Sequence, residues 1–169
     1  MKVAIIYSTR HGTTEKVARL IAEKLGKHQV SCYDLHLTSA PSLEQYHRVI
    51  IGGSIHYGAI QKNVKKFCKQ HLDQLLNKEV GLFICCLDPE KEEQQLKQAF
   101  PEALLKHSKA QGYMGGELNL EKMNWLERLM IKLVGKTKQS FSRIHYSAID
   151  HFVNQMEQPI GEEKLEHHH

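Results

Sequence analysis

Within seven residues, "STRHGTT" (8–14) gathers the hydroxyls of Ser8, Thr9, Thr13 and Thr14 with Arg10, His11 and Gly12. An apolar run, Val3 to Tyr7, precedes it, and a helical pattern follows at once. Backbone N–H groups at a helix start lack partners and carry partial positive charge, so a phosphate monoester placed there satisfies several donors together. The four hydroxyls can donate to the remaining phosphate oxygens, Gly12 lets the backbone curl around the anion, and Arg10 or His11 can add a charged contact. A capping loop, with one Thr as N-cap and the others solvated, is the plainer alternative. A second stretch, "GGSIHYGAIQ" (52–61), adds Ser54 as a short donor and Tyr57 as a ring able to stack on a flat ligand. Its Gly52, Gly53 and Gly58 allow close backbone approach, and His56 reads either as a polar neighbour of the ligand or as solvated. A third stretch, "CLDPEKEE", offers Leu87, Asp88 and backbone groups. No Gly-Lys-Ser/Thr follows the first loop, and its single glycine does not make the dinucleotide fingerprint. A mononucleotide such as FMN remains.

Such loops need a rigid scaffold. "KVAIIYS", "RVIIGGS" (48–54) and "VGLFICCL" (80–87) are nearly apolar throughout, "VSCYDLHL" (30–37) alternates, and "QGYMGGEL" (111–118) reads as a glycine-loosened fifth strand. Helical periodicity occupies 14–27, 63–76, 89–107 with a break at Pro101, 123–135 and 148–156. Apolar strands separated by amphipathic helices predict an α/β, three-layer, doubly wound domain around a five-stranded parallel sheet. With no internal repeat or linker, a single domain over 1–160 is expected, and "LEHHH" (165–169) reads as an expression tag. Ligands of such sheets bind beyond the carboxyl ends of the strands, which singles out the segments after Tyr7, Ile51 and Leu87.

Of the 169 residues, 41% are hydrophobic and 25% charged, as in an ordinary globular chain. No apolar run approaches ~20 residues, and no secretory signal is evident, so a cytoplasmic location is expected. The four cysteines lack metal-ligand spacing and are expected to be buried free thiols, with no metal bound. Net charge is +4, or +5 once the tag's Glu166 is dropped, which favours anionic ligands or a membrane face; no nucleic-acid partner is expected. Arg128, Lys132, Lys136, Lys138 and Arg143 form a basic segment without acids. Overlapping its start, Trp125, Leu126, Leu129, Met130 and Leu133 share one helical face, which either packs on the core or touches the anionic inner face of the plasma membrane over 125–138.

With these loops in place, the chain resembles flavodoxin-like FMN proteins, and among them the menaquinone-dependent, flavodoxin-type protoporphyrinogen dehydrogenases. "YSTRHGTTEKVA" is similar to that family's phosphate loop. "RVIIGGSIHYG" resembles its flavin loop, with His56 where the family often has Arg, and "NWLERLMIKLVGK" resembles a late aromatic and basic segment. The resemblance implies strand order 2-1-3-4-5 and noncovalent FMN. Ser8, Thr9, Arg10, His11, Gly12 and Thr13 would surround the phosphate, with Ser54, Ile55, His56, Tyr57 and Gly58 along the isoalloxazine and Leu87 and Asp88 on the far side. It also implies oxidation of protoporphyrinogen IX to protoporphyrin IX, with electrons leaving to a quinone or a protein redox partner. No side chain is singled out as catalytic, because in flavin chemistry the protein supplies position and electrostatics. The rival reading is an electron carrier without substrate chemistry of its own, although carriers of that class tend to be acidic and this chain is basic. A pyridine-nucleotide-dependent flavin module is a third.

Overall fold

Strand β1 (Lys2–Tyr7) sends Val3, Ile5 and Tyr7 to one face and Ala4 and Ile6 to the other, and all five are buried. A strand apolar on both faces belongs inside a sheet covered on both sides. β1 accordingly pairs in parallel with β2 (Gln29–Asp34) and with β3 (Arg48–Ser54). β4 (Glu79–Cys85) and β5 (Ala110–Tyr113) complete a five-stranded parallel sheet in the order β2-β1-β3-β4-β5. The computed structural model describes residues 1–118, 124–134 and 141–159. The segment expected to be a tag lies outside them.

Two helical layers cover the sheet. On one face, Val17, Ala18 and Ile21 of α1 (Thr13–Lys24) pack with Ile149, Phe152 and Met156 of α7 (Tyr146–Glu157) over Val3, Ile5, Ile50 and Phe83. On the other face, α2 (Lys62–Gln70), α3 (Leu72–Leu75), α4 (Glu92–Ala99) and α5 (Glu102–His107) bury Val64, Phe67, Leu75, Leu96 and Leu104 over Ala4, Ile6, Val49, Ile51, Leu82 and Ile84. Register sets Tyr7 opposite Gly52 and Ser54 opposite Cys85, so the carboxyl ends of β1, β3 and β4 lie side by side.

Several elements depart from the sequence pattern. The helix expected over 63–76 breaks at His71, whose ring packs on Phe67 at 4.8 Å. β2 stops at Asp34, because the Asp34 carboxylate accepts the His36 N–H (2.9 Å) and turns the chain. Cys32 on that strand is exposed, which corrects the expectation that all four thiols are buried. The stretch read as one fifth strand is two. After β5 the chain turns at Gly115 (φ 75°), where a Cβ would lie 1.9 Å from the Arg143 carbonyl oxygen. From there β6 (Gly115–Leu118) leaves the sheet and pairs antiparallel with β7 (Phe141–Ile144), a strand that sequence periodicity does not reveal. Between them runs α6 (Trp125–Val134), on which Trp125, Leu126, Leu129 and Met130 are exposed rather than core-packed. Residues 135–138 of the face expected over 125–138 lie outside the described residues. Among the described residues no helix is long and apolar enough to cross a membrane.

Candidate functional site

A crevice of about 290 Å³ opens across the carboxyl ends of β1, β3 and β4. Its first wall is the start of α1. Gly12 is the N-cap in a left-handed conformation (φ 96°), and no side chain caps the first turn. Thr9 Oγ1 accepts the Gly12 N–H at 2.9 Å, which leaves the Thr9 hydroxyl proton free to donate elsewhere. Thr14 is buried, and its hydroxyl has no hydrogen-bond partner of ordinary geometry; it sits beside Cys85, whose thiol burial pushes up to about 12. An uncapped helix start beside a buried hydroxyl of this kind offers several donors to one anion.

The second wall follows β3. Gln61 reaches back to fix Ser54 twice: its Oε1 accepts the Ser54 N–H (3.0 Å) and its Nε2 donates to Ser54 Oγ (2.6 Å). The Ser54 hydroxyl proton therefore remains available to a ligand. His56 and Ala59 exchange backbone hydrogen bonds (2.8 and 3.1 Å) around a two-residue turn with positive φ at both Tyr57 (50°) and Gly58 (79°). Glycine accepts that geometry readily, whereas for tyrosine it costs on the order of 1 kcal/mol. The turn holds the Tyr57 ring at the tip, 70% exposed, with its centroid 4.5 Å from that of His56.

The third wall joins β4 to β6. Cys86 N–H donates to the Gly115 carbonyl at 2.8 Å, and Leu87 is exposed over Gly116. Glu117 on β6 pairs through Oε2 with Lys16 Nζ (3.0 Å), while its Oε1 is buried without a partner. The fourth wall is α6. The Asn124 side chain accepts the Glu127 N–H (2.9 Å) and caps the helix. The Glu127 carboxylate, with the residue 5% exposed, holds Arg10 Nη2 at 2.7 Å and His11 Nε2 at 2.8 Å and lies 3.8 Å from His56 Nε2. Burial raises the Glu127 pKa, but Arg10 and His11 outweigh it and hold the carboxyl below its ordinary range. Burial first, and then the Arg10 charge, hold His56 below the usual imidazole value, so its ring is neutral at neutral pH.

Of the residues singled out in the sequence, Thr9, Arg10, His11, Thr13, Ser54, Ile55, His56, Tyr57 and Leu87 line this crevice together. Ser8 is buried beneath the loop, its N–H on the Gly52 carbonyl, and Gly12 and Gly58 shape the backbone. Asp88 folds onto its own loop, its carboxylate accepting the Glu90 N–H at 3.1 Å. Sequence reasoning missed Gln61, Glu117 and Glu127 as parts of the site. Only Glu127 carried a local signal, since Asn124 three residues ahead is the spacing of a helix cap. Among the described residues no group of three or more His, Cys, Asp or Glu is placed to hold a metal ion.

A parallel sheet in this order, with a ligand crevice across its carboxyl ends at the strand-order reversal, defines a doubly wound mononucleotide-binding type of protein. The chain belongs to the flavodoxin domain family, whose family model matches residues 4–144. It is 30% identical over 144 residues to protoporphyrinogen IX dehydrogenase [quinone] of Escherichia coli K12, covering 80% of each chain. It is also 30% identical over 84 residues to a flavodoxin of Clostridium saccharobutylicum, covering 48% of this chain and 52% of the other. Among solved structures, a short-chain flavodoxin associated with a bacterial microcompartment superposes with a TM-score of 0.56 at 14% identity, over 92% of this chain and 96% of that one. Rubredoxin oxygen:oxidoreductase of Desulfovibrio gigas gives a TM-score of 0.52 at 18% identity, over 93% of this chain and 37% of that longer one. These two likenesses concern the fold.

Proposed function

We propose that this protein binds FMN in the crevice and acts as an oxidoreductase, taking electrons from a porphyrinogen and delivering them to a quinone. The observation that carries the FMN reading is the uncapped mouth of α1 with the orphaned Thr14 hydroxyl in it, across from a tyrosine held at positive φ. Amide hydrogens of α1 and the hydroxyls of Thr9, Thr13 and Thr14 hold the phosphate, with Ser8 buried beneath the loop. Ser54 donates to the ligand, Tyr57 packs against the ring, and Ile55 and Leu87 keep water from it. Arg10 brings its charge to the crevice paired with Glu127, and neutral His56 adds no charge beside the ring. When bound, the flavin accepts electrons from the substrate and returns them to the acceptor. The 30% identity to the Escherichia coli dehydrogenase across four-fifths of both chains supports the porphyrinogen and quinone assignments. Exposed Trp125, Leu126, Leu129 and Met130, close to basic residues in sequence, suit contact with an anionic membrane that carries the quinone.

The test is anaerobic oxidation of protoporphyrinogen IX by FMN-loaded protein with a menaquinone analogue, read as porphyrin fluorescence. Rates well above autoxidation support the dehydrogenase. Background rates with intact flavin favour an electron carrier. One observation favours that second reading: the stretch that follows Leu87, itself on the crevice, carries Asp88, Glu90, Glu92 and Glu93, an acidic character that does not favour a substrate bearing propionates.

A further inference from the structure

Residues 124–130 bring α6 to the crevice with its polarity inverted. Six of these seven side chains are exposed, Trp125, Leu126, Leu129 and Met130 among them, and the buried one is Glu127. A surface helix ordinarily turns its apolar stripe inward and leaves carboxylates in water. A carboxylate stays buried only when its lost hydration is replaced by partners. Glu127 has them on both oxygens: Arg10 at 2.7 Å and His11 at 2.8 Å, both from the first loop. One side chain thus ties α6 to the first ligand loop.

We propose that Glu127 is a positioning residue: its carboxylate docks α6 against the crevice, and Arg10 and His11 serve as its receptor rather than as hydrogen-bonding ligands of the phosphate. The bearing on FMN rests on the reading above; the docking does not. A phosphate dianion could take Arg10 and His11 only by stranding a buried carboxylate, and a buried charge deprived of its partner is strongly destabilising. The mouth of α1 meanwhile offers neutral donors with no competing partner: its first-turn amides, the free protons of Thr9 and Thr13, and the orphaned Thr14 hydroxyl. The division of labour follows from those two facts. Dipoles hold the anion, and Arg10 and His11 hold the helix.

Trp125 is the sole tryptophan of the chain and sits two residues from Glu127, so its emission and anisotropy report the state of α6. Trp125 fluorescence, and the rate of limited proteolysis within 124–134, are to be compared in the FMN-free full chain for wild type, Glu127→Gln, Arg10→Met and the double variant. Docking predicts lower anisotropy and cleavage about tenfold faster in each single variant, with the double no worse than either, because both remove the same contact. Unchanged anisotropy and cleavage in Glu127→Gln overturn the proposal. FMN titration gives the second arm. Both single variants are expected to weaken FMN by the same modest factor, again without additivity. A Glu127→Gln variant that binds FMN more tightly while Arg10→Met binds it far more weakly would assign Arg10 to the phosphate and refute the proposal. Thr9→Val/Thr13→Val is the folding control, expected to lose FMN affinity while leaving the Trp125 signal as in wild type. If wild-type protein takes up no FMN, the functional reading fails, and the Trp125 arm still decides the docking.

Discussion

Thr14 Oγ1 and Glu117 Oε1 are both buried without a hydrogen-bond partner of ordinary geometry, and both residues line the crevice. Native proteins keep few such atoms, and a ligand with donors and acceptors is the economical reason for a pair. Glu117→Leu should therefore leave apo stability unchanged or slightly higher, while FMN affinity falls about tenfold. Thermal melts and flavin-fluorescence titrations on the same samples read the two effects, and loss of both together would mark Glu117 as merely structural. Tyr57 makes the same trade in backbone strain. Tyr57→Gly should raise apo stability by about 0.5–1 kcal/mol and weaken FMN, since glycine accepts a φ of 50° but has no ring to stack. At this scale the hydroxyls, the glycines and Tyr57 were legible in the sequence, because each acts within its own loop. Glu127 was not: its partners Arg10 and His11 lie more than 100 residues away, so no local pattern announces them.

Among the elements, β1, β3 and β4 were readable as apolar runs because a strand buried on both faces has no reason to alternate. The β6–β7 ribbon was not, since four-residue strands outside the core carry too little pattern to distinguish them from loop. What creates the ribbon is Gly115, which lets the chain leave the sheet where the Arg143 carbonyl blocks any side chain. Gly115→Ala should destabilise the protein by about 3 kcal/mol or more, as an alanine forced both to positive φ and into a backbone carbonyl. Denaturant unfolding checks this, and a cost under 1 kcal/mol would show that the ribbon can shift without penalty. The helix break at His71 was likewise hidden, because the apolar spacing continues through it and only the packing of His71 on Phe67 marks the change.

For the molecule as a whole, the end of the sheet opposite the crevice is held by charge. Buried Arg48 donates to Glu79 (2.9 Å), Glu157 (3.0 Å) and the Met156 carbonyl (2.7 Å), tying β3 to β4 and α7. Burial alone would raise the Glu157 pKa, but Lys27, Arg48 and His28 outweigh it and hold the carboxyl down from 4.5 to about 2. A depressed folded-state pKa contributes stability that is fully present above about 4.5 and is lost as pH falls toward 2. Melting temperature should therefore drop through that window, and Glu157→Gln should flatten the drop; an equally steep profile in the variant would remove Glu157 from the account. At this scale the doubly wound architecture and the end of the sheet that carries the crevice were legible from the alternation of elements, and the strand order only through the family resemblance, while the ionic tie was not, since its members come from three elements. The account depends most on the anion site at the start of α1, and the direct measurement is FMN titration of the purified full chain. It predicts a yellow complex that saturates at one flavin per chain and loses affinity in Thr9→Val/Thr13→Val by about 1–3 kcal/mol. Colourless protein that cannot be loaded with FMN, or affinity untouched by those two substitutions, would contradict it.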